Sequence, residues 1–286
     1  MLSDSPTKPS LIHTVPGGKK VRGMTVLSDG LYVVRQFSNQ VEVYDSNTLT
    51  LRRCLVIRKL TCAGDIASSG AHNCLYISDI NEHKVHRLEL KGKTTQWPVD
   101  DEHGGLTVTA DEQNVMMTCS PKLRGAAACR LLEYTTYGKI VREIRLQDDI
   151  VNLSHVVQRT DGKFVVCYGL YGDQVHAVWV LNDAGRACKR PGHRSAASEV
   201  NCPRRLAVVD GGNVVAVTDQ GNKRVALMNP SLMDYVVDLS KDDVGRLQWE
   251  PFSVCLDKRT RRLFVDDNKT GEILVFTLEA TTIDLT

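Results

Sequence analysis

The stretch Pro203–Asn229, PRRLAVVDGGNVVAVTDQGNKRVALMN, decides the fold. It divides into a short apolar strand, Leu206–Val209, a turn of Asp210-Gly211-Gly212-Asn213, and a second strand, Val214–Thr218. The polar stretch Asp219–Arg224 then leads into a third strand, Val225–Met228. Short runs of β-branched residues bounded by Asp, Gly and Asn turns signal antiparallel hairpins. One such unit cannot cover both of its faces, so a stable fold requires neighbours of the same kind.

The chain supplies them. Asp79-Ile80-Asn81-Glu82-His83-Lys84-Val85 follows the strand Leu75–Ser78 as Asp219 to Val225 follows Val214–Thr218. Asp267 to Ile273 repeats the pattern after Leu263–Asp266, and Arg35 to Val41 after Leu31–Val34 keeps it with Arg in place of Asp. Cys119 and Tyr168 hold the same place in two looser copies with longer loops. The six anchors 35, 79, 119, 168, 219 and 267 are spaced by 44, 40, 49, 51 and 48 residues. A period in the forties with three or four strands per unit is that of a β-propeller blade. Six units fill the chain, which makes the expected fold all-β: a six-bladed propeller of four-stranded antiparallel blades.

Pro203-Arg204-Arg205-Leu206-Ala207-Val208, the following Asp-Gly turn, and Asp219-x-x-Asn222-x-Arg224-Val225 together resemble the NHL repeat. Asn81-Glu82-His83-Lys84-Val85 looks like the core of the same motif. No Trp-Asp dipeptide closes a strand, as WD40 blades require, and the Gly pairs 104–105 and 211–212 lack the regular Tyr and Trp spacing of kelch blades. Similarity to NHL domains implies an interaction module, of the kind that selects substrate or RNA at the C-terminus of tripartite-motif ubiquitin ligases. The chain carries no RING or B-box pattern of Cys and His, so ligase chemistry is not expected in it.

Residues 1–10 read as a linker and 11–286 as the propeller. The last repeat has strands at Phe252–Leu256, Leu263–Asp266 and Ile273–Leu278 but no fourth, while Leu11–Val15 is a lone strand at the other end. Pairing the two closes the ring and removes an exposed edge. Ser120–Cys129 is expected to be a surface loop, and the basic stretch Arg186–Arg194 makes a poor fourth strand for blade four.

Nine scattered cysteines, an odd count with no C-x-x-C pair, argue against a disulfide framework or a zinc site. With no apolar leader in Met1–Ser10, a cytoplasmic location is expected. No apolar run approaches the roughly 20 residues of a membrane span.

In a four-stranded blade the interblade loops and the second-to-third loops share one face of the ring. That face is expected to present Lys20, Arg22, Arg35, Phe37, Lys84, Tyr171, Arg205, Lys223 and Arg224 as exposed binding residues whose loss would cost little stability. Basic and aromatic residues together suit single-stranded RNA. However, acidic residues (100–102, 148–149, 242–243) fall on the same face and the net charge is only +2, so a protein partner is favoured over RNA, with no sign of DNA or membrane binding. The alternative is a metal-dependent propeller hydrolase or lyase. Its candidate ligands are Asp65, His155, Asp219 and Asp267, but Arg35, Cys119 and Tyr168 interrupt the ring of equivalent positions. Aspartates after the second strand are better read as turn formers, which leaves no catalytic set, no metal and no cofactor in the expected function.

Overall fold

In the computed structural model, the chain forms six four-stranded antiparallel sheets arranged around an axis. It describes residues 8–99, 103–121, 128–173, 175–189, 200–210, 213–229, 234–240, 242–245 and 249–278. Strand β1 (Ser10–Val15) precedes blade one, which is β2 (Val21–Leu27), β3 (Gly30–Arg35), β4 (Gln40–Asp45) and β5 (Leu51–Val56). Blade two is β6 (Ala63–Ser69), β7 (Cys74–Asp79), β8 (Lys84–Glu89) and β9 (Thr94–Pro98). Blade three is β10 (His103–Val108), β11 (Asn114–Cys119), β12 (Arg130–Thr135) and β13 (Ile140–Arg145). Blade four is β14 (Leu153–Gln158), β15 (Phe164–Tyr168), β16 (Ala177–Leu181) and the short β17 (Ala187–Lys189). Blade five is β18 (Pro203–Asp210), β19 (Val214–Asp219), β20 (Arg224–Asn229) and β21 (Asp234–Leu239). β22 (Pro251–Asp257), β23 (Arg262–Asp267) and β24 (Ile273–Thr277) complete the set.

The second strand of each blade reads as a nearly unbroken apolar run because both faces of the sheet are interior. In β7, Leu75 and Ile77 pack into the seam with blade one, whereas Cys74 and Tyr76 pack into the seam with blade three. In β19, Val214 and Ala216 face blade six, and Val215 and Val217 face blade four. The two-residue period of a strand therefore sorts side chains between neighbours rather than between core and water. Only the outermost strands, such as β5 and β13, turn largely to solvent.

Ring closure follows the sequence expectation. β1 pairs antiparallel with β24, from Ser10 opposite Thr277 to Val15 opposite Ile273, and becomes the fourth strand of blade six. Its Val15 is buried in the seam between blades six and one, and Leu11 packs against the seam between five and six. Two arginines bracket the closing seam. Arg35 Nη1 donates to the carbonyls of Lys19 and Gly271, both at 2.7 Å, and Arg262 Nη1 donates to Ser46 and Asn47 at 2.9 and 2.8 Å. Gly271 has φ of 72°, and a Cβ there would lie 2.6 Å from the carbonyl oxygen of Gly18. Close approach of the two chain segments thus requires glycine.

Of the loop expectations, residues 122–127 of Ser120–Cys129, residues 190–194 of the basic stretch and residues 1–7 lie outside the described residues.

Deleting residues 1–16 removes a whole strand and uncovers Leu274 and Phe276. A loss on the order of 10 °C in melting temperature is expected, since a few kcal/mol of apolar burial disappears from a chain of this size. Thermal melts of the full and truncated chains test it, and equal midpoints would count against closure by β1.

Candidate functional site at the loop-face mouth of the channel

The second strand of each blade ends on the anchor position that defines the repeat. Asp79 accepts the Thr61 amide at 2.7 Å, the Thr61 hydroxyl at 2.8 Å and the Cys62 amide at 3.2 Å, and also the amides of Asn81 and Glu82 in its own turn. Asp219 accepts the Asn201 amide at 2.7 Å and is paired with Arg224 at 2.8 Å. Asp267 accepts the amides of Glu250 and Lys269. Each carboxylate ties the incoming interblade loop to the second-to-third turn, which is the turn-forming role expected for these residues. Arg35 performs the same task with inverted polarity, donating to the Lys19 carbonyl instead of accepting an amide.

The innermost strands are irregular at the same end. Each of β2, β6, β10, β14, β18 and β22 shifts register against its neighbour within its first few residues. One level of the channel is thereby formed by Gly23, Asp65, Gly105, His155, Arg205 and Ser253. In blades three, five and six the ladder bond at this level is replaced by a side chain. Thr118 Oγ1 accepts the Gly105 amide at 2.6 Å, Thr218 Oγ1 accepts the Arg205 amide at 2.8 Å, and Asp266 Oδ1 accepts the amides of Ser253 and Phe252. The glycines make room for their neighbours: a Cβ on Gly23 would lie 2.6 Å from Asp65 Oδ1, and one on Gly105 would lie 2.3 Å from the His155 ring.

Arg205 spans the axis at this level. Its side chain leaves blade five and reaches blade two, where Nη2 donates to the Gly64 carbonyl at 3.1 Å and Nε lies 3.3 Å from Asp65 Oδ2. Nη1 is 3.4 Å from the Ser154 carbonyl in blade four. His155 Nε2 is 3.5 Å from the same Asp65 oxygen, which also accepts the Leu106 amide at 2.9 Å. The Leu206 amide donates to His155 Nδ1 at 3.4 Å, which places the imidazole proton on Nε2, toward Asp65. Burial opposes charge on Asp65, but Arg205, His155 and the Leu106 amide hold its carboxyl below the ordinary value. Burial pushes the His155 pKa down despite Asp65. Beyond this plug the channel widens to a cavity of about 400 Å³ that opens among the first-to-second turns, by Ser28, Glu112, Thr160 and Lys258.

On the loop-face side of the plug lies a different cluster. The guanidinium carbons of Arg22, Arg204 and Arg205 stand 5.8, 5.9 and 5.3 Å from the centroid of the Phe252 ring. Arg204 also lies 5.7 Å from the ring of Tyr171, which is 62% exposed, and its Nε donates to Gln220 Oε1 at 2.7 Å. Burial lowers the pKa of both Arg22 and Arg204, and the charge of Arg205 adds to the effect. Arg22 Nε is buried without a hydrogen-bond partner among the described residues. Beneath the ring, burial pushes the Asp266 carboxyl up to about 7, against the stabilising Ser253 and Phe252 amides, and its Oδ2 has no partner among the described residues.

The nine sequence-derived binding residues divide into two groups. Lys20, Phe37, Tyr171 and Lys223 are exposed on the loop face, Lys84 is half-buried beside Glu82 at 3.1 Å, and Arg22 reaches the Phe252 cluster. Arg35, Arg205 and Arg224 were expected to be exposed, and they are not. Arg35 and Arg205 are only 5% and 7% accessible, and Arg224 is held between Asp219 and Asp238 at 2.8 and 2.7 Å. All three belong to strands, where the blade needs their charges for internal bonds, so their loss carries a stability cost. Of the candidate ligands, Asp219 and Asp267 serve turns. Asp65 and His155 do meet, but the third group between them is a guanidinium. Among the described residues no three His, Cys, Asp or Glu side chains converge. Phe252, the organising ring, was read only as a strand residue. Alignment of the first residues of each innermost strand would have brought Arg22, Arg204 and Phe252 to equivalent places.

No known family profile matches the chain, and no curated protein matches it. Solved structures do share its fold. Hydrazine synthase of Kuenenia stuttgartiensis aligns over 98% of this chain and 99% of its own at a TM-score of 0.65 and 14% identity. The Cps50 (Swd1) β-propeller domain of Myceliophteria thermophila aligns over 95% and 100% at 0.64 and 13%. A nidogen/laminin complex contains a chain that aligns over 82% and 84% at 0.63 and 12%. Identities this low describe the propeller alone.

Two outcomes test the plug and its surroundings. Arg205→Met strands a buried Asp65 charge and should destabilise by about 3 kcal/mol, with Asp65→Asn in the same chain recovering at least half, as read by denaturant melts. For Asp266, the folded pKa lies above the unfolded one, so the folded state binds the extra proton. Stability should therefore fall as pH rises from about 4 to about 7. Asp266→Asn should remove that slope and be the more stable form at pH 8, by up to about 4 kcal/mol, in melts taken across the range.

Proposed function

We propose that this chain is a non-enzymatic, NHL-like interaction module of the cytoplasm whose partner protein seats on the loop face, over the channel mouth. The carrying observation is that exposed aromatic rings stand on this face and that one of them, Tyr171, lies against a guanidinium group. Tyr171 and Phe37 are 62% and 68% exposed on loops of blades four and one, and Arg204 bridges Tyr171 to the Phe252 cluster. Aromatic and arginine side chains dominate the energetics of protein interfaces. Loops on a closed ring are free to carry them, because the seams that hold the blades lie elsewhere. A protein-binding role has a parallel in the similar structure from a nidogen/laminin complex. Nine unpaired thiols, seven of them buried, support a reducing compartment. The Asp219-x-x-Asn222-x-Arg224 turn, closed by bonds from Asn222 and Arg224 to Asp219, supports the NHL comparison and a substrate-selecting role of the tripartite-motif kind.

Single-stranded RNA is the second reading, favoured by the placement of Arg204 near two aromatic rings, an arrangement that also suits base stacking. Crosslinking in cells, with separate identification of protein and RNA, distinguishes the two. Tyr171→Ala combined with Phe37→Ala should lower capture of the crosslinked protein at least tenfold without moving the melting curve. Lys258→Glu with Arg261→Glu, on the opposite face, should leave capture unchanged. Loss of capture in that control alone would move the binding face.

A further inference from the structure

The three arginines at the channel mouth are unequally satisfied. Arg205 is neutralised by Asp65 and bonded to Gly64 and Ser154. Arg204 makes its bond to a neutral amide, Gln220. Arg22 has its Nε buried without a partner. Among the described residues, no carboxylate forms an ion pair with Arg22 or Arg204. Asp266, a carboxylic acid that acts on Arg22, is pushed by burial toward its neutral form and spends Oδ1 on two backbone amides. Half-buried positive charge that repels a neighbour and lacks a counter-ion is unfavourable in the free protein. The arrangement becomes favourable when an anion enters.

The geometry also says what kind of anion. All three guanidinium groups lie within 6 Å of one ring centroid, so the positive charge is clustered around one ring instead of spread along a track. A nucleic-acid backbone needs a line of cations for successive phosphates. Carboxylates also stand nearby: burial raises the Tyr171 phenol, with smaller contributions from Glu250 and Asp219, and Asp173 acts on adjacent Cys202. A polyanion leaving the cluster would meet these groups, whereas one carboxylate would not. Planar guanidinium forks match a carboxylate in two-pronged fashion.

We propose that Arg22 and Arg204, backed by Arg205 and set around Phe252, form the receptor for one Asp or Glu side chain of the partner protein. This rests on the loop-face reading above and deepens it. The carboxylate takes the Nη donors of Arg22 and Arg204, which no described residue bonds, and Tyr171 packs against the residue beside it.

The test is selection of a random heptapeptide library on the immobilised full chain, repeated with Arg22→Gln, Arg204→Gln and the opposite-face control Lys258→Gln. Enriched peptides should contain an Asp or Glu at a shared position, and replacing it by Asn or Gln should weaken binding tenfold or more in fluorescence anisotropy. Each arginine variant should lose a similar factor, the Lys258 control should lose none, and the Arg22 Nε–Hε resonance should shift on titration with the wild-type peptide. Melting curves accompany every variant, and if Arg22→Gln fails to fold, Arg204→Gln and the resonance of Arg22 in the native chain carry the test. Neutral or basic consensus peptides, acidic peptides indifferent to both arginines, or no enrichment at all would overturn the carboxylate receptor. Neutral peptides that nonetheless depend on Tyr171 would overturn it while leaving the loop-face interaction module intact. A uridine decamer that binds through Arg22 and Arg204, where acidic peptides do not, would overturn it in favour of RNA.

Discussion

A β-sheet with apolar side chains on both faces can bury them only between two other sheets, and the rest of this structure depends on that constraint. Tyr76 and Ile77, adjacent in sequence, are both fully buried because each lies in a different seam. Six such sheets have no free face only if the last packs against the first. The chain meets that demand twice, by carrying β1 across to blade six and by latching the seam with Arg35 on one face and Arg262 on the other. Gly271 is the local consequence, since a side chain there would separate the two segments being joined.

Closure creates a second problem at the axis, where six innermost strands converge and their first residues cannot all be large. The solution is asymmetric. Gly23, Gly64, Gly104 and Gly105 vacate space on blades one to three, and the long side chains of blade five move into it, Arg205 as far as blade two. Asp65 and His155 then meet a guanidinium in the middle of the channel. Their proximity invites a catalytic reading, but the Asp65 carboxylate is already held within the ring by Arg205, His155 and the Leu106 amide. The plug separates the 400 Å³ cavity on the turn face from the arginine cluster on the loop face.

That separation gives the two ends of the channel different chemistry. The turn-face cavity has a floor that is internally neutralised. The loop-face cluster carries two arginines, Arg22 and Arg204, with which no carboxylate forms an ion pair among the described residues, beside an exposed tyrosine. The arginine that spans the axis and the one that stands at the mouth lie within one residue of each other at Arg205 and Arg204. Alternation along the strand decides which is which: one reaches across the axis and the other turns toward the mouth.

The sequence by itself determined the repeat, the number of blades, the strand order and the closure by β1. All of these depend on local patterning: apolar runs, Asp-Gly turns and anchors spaced in the forties. It also placed Tyr171 and Phe37 on the loop face, because strand direction assigns loops to faces without coordinates. Only the tertiary structure decided which basic residues were available for binding. Arg35, Arg205 and Arg224 look like surface charge in one dimension, but their partners are Gly271, Asp65 and Asp238: the first two lie in other blades and are adjacent only once the ring is closed, and the third lies on the neighbouring strand of the same blade. The role of Phe252 is hidden in the same way: alignment of the innermost strands puts it level with Arg22 and Arg204, but only closure brings three arginines from two other blades around its ring.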